Sequence, residues 1–353
     1  MTASEPAAER TPQQIVRFRK VFGVPDFLEP WLDRFFEPPE YELVLALADL
    51  QAGALPESDP CSGASGRGFP PVSRSALREA LPRRLTVRWS GFLAREYRRG
   101  IIDLLPGGKV RPSDFHARYE VWALFEGWKD VPAEVRTRLN EWERAHYRER
   151  KREQIEARKA GREPAEQLEN EVYLLLDEAE AVLEQVERVY LWPCNCRAME
   201  GRCDKPLNVC LRFENDRGLG WEISKERAKE VLREANRAGL MQTGELVRER
   251  GRLSGAICNC CADCCFPHQV AEELGARKIW PRSRYVAAWN ESACSACGRC
   301  ARRCPFGAFQ KKGSGKEAIV FDSDICVGCG VCLTGCPEGA ILMRPLTDEK
   351  GQE

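Results

Sequence analysis

The sequence predicts an α+β protein of several domains: a mainly helical amino-terminal half, a cysteine-rich α/β central domain and a small carboxy-terminal α+β domain. Three observations carry the prediction. A chain of 353 residues is longer than one hydrophobic core usually spans, so two or three domains are expected. Apolar residues recur at helical spacing through the first half, and strand-like runs gather later. Of 18 cysteines all but Cys61 follow position 190, so one half of the chain carries the sulfur. The expected divisions are 1–165, 166–287 and 288–353.

In the amino-terminal half, apolar spacing places helices around 12–22, 27–36, 39–50, 74–82, 87–99 and 113–128, separated by Pro and Gly signals. Residues 58–71, SDPCSGASGRGFPP, read as a flexible loop with Cys61 as a free surface thiol. The stretch SRSALREALPRRLTVRWSGFLAREYRRGIIDLLPGGKVRPSD reads helix, turn, helix, strand, Gly-Gly turn, strand, the order of a winged helix. A DNA-binding reading would set Arg88, Arg95, Arg98 and Arg99 against phosphates and base edges. Lys plus Arg equals Asp plus Glu at 54 each, and acidic helices lie nearby, so a scaffold for protein contact is favoured over nucleic acid. Residues 134–163, rich in opposite charges three and four apart, read as a solvated helix. A domain boundary is expected near Gly161 to Pro164.

Near the carboxy terminus stand CSACGRCARRCP (294–305) and CVGCGVCLTGCP (326–337), each C-x2-C-x2-C-x3-C-P. Every cysteine of the first run reappears 32 residues later, as do Pro305 as Pro337 and Gly307-Ala308 as Gly339-Ala340, so the segment is an internal duplication. Three cysteines at intervals of three on a tight loop converge on three corners of an iron–sulfur cube. The fourth cysteine of such a run ligates the other cluster. Cys294, Cys297, Cys300 and Cys336 are therefore expected to hold one [4Fe-4S] cluster, and Cys326, Cys329, Cys332 and Cys304 the second. Zinc sites also use paired C-x2-C units, but the third cysteine and the C-P, twice over, exceed what zinc requires. These residues resemble the two-[4Fe-4S] bacterial-type ferredoxin over about 288–346, which implies a small α+β sandwich with pseudo-twofold symmetry. Between the halves, AFQKKGSGKEAIVFDSD reads as strand, Gly-Ser-Gly turn, strand.

Nine further thiols lie upstream: Cys194, Cys196, Cys203 and Cys210, then Cys258, Cys260, Cys261, Cys264 and Cys265. Asp177 to Val186 reads as a helix with an acidic first turn, running into a strand VYLW that ends at Cys194. Ile223, Ala228, Val231, Leu232 and Ala235 recur at helical spacing, with Ser224 as cap and Gly239 as stop. That helix returns the chain so that the two thiol groups face each other. They suit one or two more [4Fe-4S] clusters, or zinc, or a substrate-reactive centre, because soft thiolates serve all of these. His268 stays outside the ligand set. Disulfides are not expected: MTASEPAAERTPQQ carries no export signal, and adjacent pairs such as Cys260-Cys261 suit a shared metal better than loop closure.

The series CNCR, CDKP-x3-C, a helix IS…A…AGL, ICNCC-x2-CC and the final double run resembles a family of multidomain 4Fe-4S binding, ferredoxin-like proteins, mostly from anaerobes, over about 170–346. The winged-helix-like stretch is similar to the amino-terminal part of that family. The resemblance implies an electron-transfer role and little else; a protein redox partner, an oxidoreductase, is expected, and a homo-oligomer or larger complex stays open. No dinucleotide or phosphate loop, C-x3-C-x2-C run or Gly-x-Ser-x-Gly elbow is present, so the expectation is an electron-transfer component rather than a stand-alone enzyme. The alternatives are a redox-responsive DNA-binding regulator and a subunit with a catalytic metal centre in the central domain. Arg299, Arg302 and Arg303 are expected to form a basic docking face, since the second repeat has Val331, Thr334 and Gly335 there. No apolar run reaches the ~20 residues that span a bilayer, and a cytoplasmic protein is expected.

Overall fold

A computed structural model describes residues 10–51, 69–162, 170–215, 217–249, 251–313 and 318–346. The chain forms two compact units, Met1–Glu149 and Arg150–Glu353. Cys61 lies outside the described residues.

In the first unit, α1 (Pro12–Phe22) starts at a Thr11 capping box and stops at Gly23, which takes the left-handed conformation. The helix expected at 27–36 is two pieces, a 3-10 turn Asp26–Trp31 and α2 (Leu32–Phe35). Pro30 denies a helical amide at that point, which explains the tighter turn. Next come α3 (Pro38–Leu50), β1 (Val72–Ser73), α4 (Arg74–Ala80), α5 (Arg83–Thr86), α6 (Trp89–Arg98), β2 (Ile102–Leu105), β3 (Lys109–Pro112) and α7 (Phe115–Phe125). Strands β1, β3 and β2 form a small antiparallel sheet in that order. Phe18, Phe22, Phe35, Phe36, Tyr41 and Phe115 stack edge-to-face and offset at the core of this unit.

Helix α8 (Ala133–Lys159) is longer than most and is not simply solvated. Val135, Leu139, Ile155 and Ala157 are buried, the Asn140 carboxamide accepts from Tyr119 at 2.9 Å, and the Glu143 carboxylate lies 2.7 Å from His116 Nδ1. The charged pattern hid a stripe of apolar and hydrogen-bonded positions.

The second unit is built on a six-stranded sheet of β4 (Asn170–Leu174), β5 (Val189–Pro193), β6 (Asn208–Arg212), β7 (Trp221–Ile223), β8 (Met241–Glu249) and β9 (Arg252–Cys260), in the order β4-β8-β9-β6-β5-β7. Every strand pair is antiparallel, so the α/β expectation for the central region is corrected to an α+β layer. Only β8 and β9 are joined by a short hairpin; the other neighbours meet through longer connections that include α9, α10 and α11, so the strand directions are set by the fold as a whole. Helices α9 (Leu176–Gln185) and α11 (Lys225–Arg237) bury Ala179, Val182, Leu183, Ala228, Val231, Leu232 and Ala235 with Leu211 and Ile257 of the sheet. The Ser224 hydroxyl caps α11, accepting from Arg227 N at 3.1 Å, and Gly239 is left-handed just past its end. Ile223, placed on this helix by its spacing, closes β7 instead.

The remaining elements are α10 (Asn195–Glu200), α12 (Phe266–Glu273), β10 (Tyr285–Trp289), α13 (Arg299–Arg303), β11 (Phe309–Lys311), β12 (Ile319–Phe321) and β13 (Ile341–Pro345). Strand β10 runs across position 287/288 and pairs with β13, while β11 pairs with β12, so each two-stranded sheet flanks the cysteine loops. Among the described residues no helix is long and apolar enough to cross a membrane.

Candidate metal centres

The duplication seen in the cysteines extends to the backbone. Gly298 and Gly330 precede the third cysteine of each run by two positions and are both left-handed, as are Ala296 and Gly328, and Gly307 and Gly339. A side chain at Gly328 would meet the Tyr285 carbonyl oxygen at 2.0 Å, whereas Ala296 tolerates its strained conformation. Glycine in the second repeat is therefore a packing requirement as well as a conformational one.

Two cavities flank these loops. One is lined by Cys294, Cys297, Cys300 and Cys336, with Trp289 and Ile341. The other is lined by Cys304, Cys326, Cys329 and Cys332, with Phe306 and Phe309. Each thus gathers three cysteines of one run and the last cysteine of the other. Backbone amides donate to sulfur in both: Ala296 N to Cys294 Sγ (3.4 Å), Ala340 N to Cys336 Sγ (3.3 Å) and Ala287 N to Cys326 Sγ (3.5 Å). Such donors suit thiolates that share a metal cluster, because they spread negative charge without adding bulk. The donor set, four thiols around an apolar space with amides aimed at sulfur, fits a [4Fe-4S] group at each cavity. Cys297 is exposed and Cys329 and Cys332 are buried. Burial raises the Cys332 and Cys329 thiols, the latter to about 12, which bound metal would offset.

The basic face is smaller than expected. Arg303 points inward and donates to Val331 O (3.0 Å), Asn236 O (2.9 Å), Asn236 Oδ1 (2.9 Å) and Arg237 O (3.1 Å). It ties the loop to the end of α11, so Arg299 and Arg302 remain as surface cations on α13.

The nine central thiols gather at one end of the sheet, where β5 and β9 end and β6 and β8 begin. Cys194 caps α10 where β5 ends, Cys196 lies in α10, Cys203 in the following loop and Cys210 in β6. Cys258 and Cys260 end β9, Cys261 and Cys264 form the turn, and Cys265 caps α12. They sort into two groups. Neighbouring side chains link Cys194 to Cys210, Cys210 to Cys258, Cys258 to Cys260, and Cys260 and Cys196 to Cys265. Cys203, Cys261 and Cys264 form the second group, their sulfurs all within 4.8 Å of one another.

Electrostatics differ among these thiols. Hydrogen bonding to Cys258 and Cys265 brings Cys260 down to about 6, while Cys194, next to Cys210 and fully buried, is pushed up. Hydrogen bonding from Cys264, with help from the Arg197 guanidinium, brings Cys261 down to about 5 and pushes Cys264 up. Arg197 is 3% exposed and is held by Pro206 O (2.6 Å) and Asn259 O (3.0 Å). Reading by ligand type passed over it, although CNCR places it directly after a cysteine.

The six-thiol group abuts the ferredoxin-like loops. Cys260, Cys265, Tyr173 and Met241 pack with Val327, Cys329 and Val331 in one buried cluster. Tyr173 stacks on His268 and meets its Nδ1 at 3.1 Å, so that His268 nitrogen is engaged by a phenol. Burial and Arg277 bring His268 down to about 4, which keeps it neutral. No sequence signal marked Tyr173. All 17 described cysteines are free of disulfides.

Comparison with curated proteins and with solved structures finds no match for the chain. Residues 293–340, the segment that frames both four-cysteine cavities, match the family of the 4Fe-4S dicluster domain.

Proposed function

We propose that this chain is an iron–sulfur electron-transfer protein or subunit that exchanges single electrons with an oxidoreductase partner. Cys294, Cys297, Cys300 and Cys336 hold one [4Fe-4S] cluster, and Cys326, Cys329, Cys332 and Cys304 the other. The reading rests above all on the two cavities, each lined by three cysteines of one repeat and the last of the other. When bound, such clusters supply one-electron chemistry at potentials set by their surroundings. The chain's own residues hold them, exclude water through Phe306, Phe309 and Ile341, and donate amides to sulfur. Exposed Cys297, beside Arg299 and Arg302, is where a partner approaches most closely. The thiols Cys194, Cys196, Cys210, Cys258, Cys260 and Cys265 form a further metal centre, and its packing against Cys329 supports a path into the central domain.

Residues 73–114 are read as a winged-helix unit used for protein contact. Arg95 and Arg99 are committed to Glu37, Glu40 and Glu126 within their own unit, which leaves less charge for phosphates and disfavours the DNA-binding regulator.

The test is anaerobic purification with iron, sulfide and paramagnetic resonance measurements on the full chain. Cys336→Ser and Cys304→Ser are each expected to cost about four irons per chain and to remove different reduced signals. Zinc in place of iron in this domain, or clusters that cannot be reversibly reduced, would overturn the reading.

A further inference from the structure

The three-thiol group differs in geometry from the four-cysteine cavities. Cys203 Sγ lies 3.8 Å from Cys261 Sγ and 3.6 Å from Cys264 Sγ. Thiolates bound tetrahedrally to one zinc ion at about 2.3 Å sit about 3.8 Å apart. A cube binds each thiolate to a different iron and spreads its cysteine sulfurs roughly 6 Å apart. The spacing therefore matches one ion and is too tight for a cube.

Local structure points the same way. Cys261-Ala262-Asp263-Cys264 is a C-x2-C turn, the spacing of zinc knuckles, and Cys264 N donates to Cys261 Sγ at 3.4 Å. That amide fixes the first thiolate and aims the second beside it. Cys203 arrives from the loop after α10, so two separate segments close the site. Arg197 Nε, fully buried, has no hydrogen-bond partner among the described residues, and the guanidinium lies within electrostatic reach of Cys261. A divalent ion with three thiolates carries one negative charge, which a single guanidinium balances in a buried setting.

We infer that Cys203, Cys261 and Cys264 form a three-thiolate site for a single ion of the zinc class, with the fourth coordination position left to an exogenous ligand. Among the described residues no fourth Cys, His, Asp or Glu joins the group, and three protein ligands with an open fourth position is how exchangeable zinc sites are built. Cys203 is only half-buried, so water reaches the ion from that side. Cys261 and Cys264 lie in the main core of the central region, so the ion also fastens the α10 loop to the sheet. This assignment stands independently of the electron-transfer reading.

The experiment is metal analysis of the anaerobically purified full chain beside Cys203→Ser, with X-ray absorption at the zinc edge of the unmodified protein. The expected result is one zinc per chain, lost in Cys203→Ser with iron unchanged, and three sulfurs with one lighter neighbour around zinc. Growth on cobalt should give thiolate-to-cobalt charge-transfer bands that the variant lacks. A loss of about four irons in Cys203→Ser, four sulfurs around zinc, or no zinc in the unmodified protein would overturn it. The absorption measurement decides even if Cys203→Ser fails to fold. Loss of iron in Cys304→Ser or Cys336→Ser bears only on the other centres.

Discussion

Glu96 shows how much a single residue's meaning depends on neighbours distant in sequence. It is fully buried on α6, and burial together with the Glu40 carboxylate raises it to about 8, while Arg95 works against the shift. A carboxyl raised in the folded state binds more protons than the unfolded chain between about 4.5 and 8, so stability falls as pH rises through that window. Glu96→Gln, which stays neutral, should be more stable than the unmodified protein by about 1 kcal/mol at pH 7.5, with the gap closing toward pH 5. Urea denaturation across pH reads this directly, and a constant gap would assign the effect to packing alone. The same network explains why Arg95 and Arg99 read as free cations in the sequence: Glu37 and Glu40, which they bind, lie 58 and 59 positions away.

At the scale of elements, α11 and α13 illustrate a contact that no periodicity announces. Asn236, near the end of α11, accepts from Arg303 (2.9 Å) and Thr334 (2.5 Å) and donates to Gln242 (2.9 Å). Gln242 in turn donates to Asn259 (2.8 Å), and Asn259 to Val209 O (2.6 Å). This buried chain joins the cysteine loops to the central sheet, and each group in it is costly to leave unpaired. Arg303→Met should cost about 2–3 kcal/mol and speed iron loss to chelators, whereas Arg299→Glu with Arg302→Glu should leave both unchanged and slow reduction by an acidic partner at low salt. Chelator-driven bleaching followed at several salt concentrations separates the two roles. Equal bleaching in both variants would place Arg303 back on the surface. The boundaries of α11 were legible, because Ser224 and Gly239 carry their capping role in their own chemistry.

For the whole molecule, the division of sulfur between a duplicated loop pair and a sheet-borne group sets the prediction. Since Cys260 and Cys265 share a buried cluster with Cys329 and Val331, metal removal should loosen both parts together. Hydrogen exchange after iron chelation is expected to accelerate in β8 and β9 as well as in β10 and β13, and protection retained in β8 and β9 would show the two parts to be uncoupled. The double C-x2-C-x2-C-x3-C-P run by itself determined a 4Fe-4S dicluster domain, because ligand spacing on a tight loop is local chemistry. Apolar spacing and caps likewise determined most helices. Only the tertiary structure decided that the central sheet is antiparallel, that Arg303 turns inward, and that the nine upstream thiols part into six and three. Those facts depend on which strands and loops meet across many tens of residues, and a pattern read along the chain holds no record of distances through space.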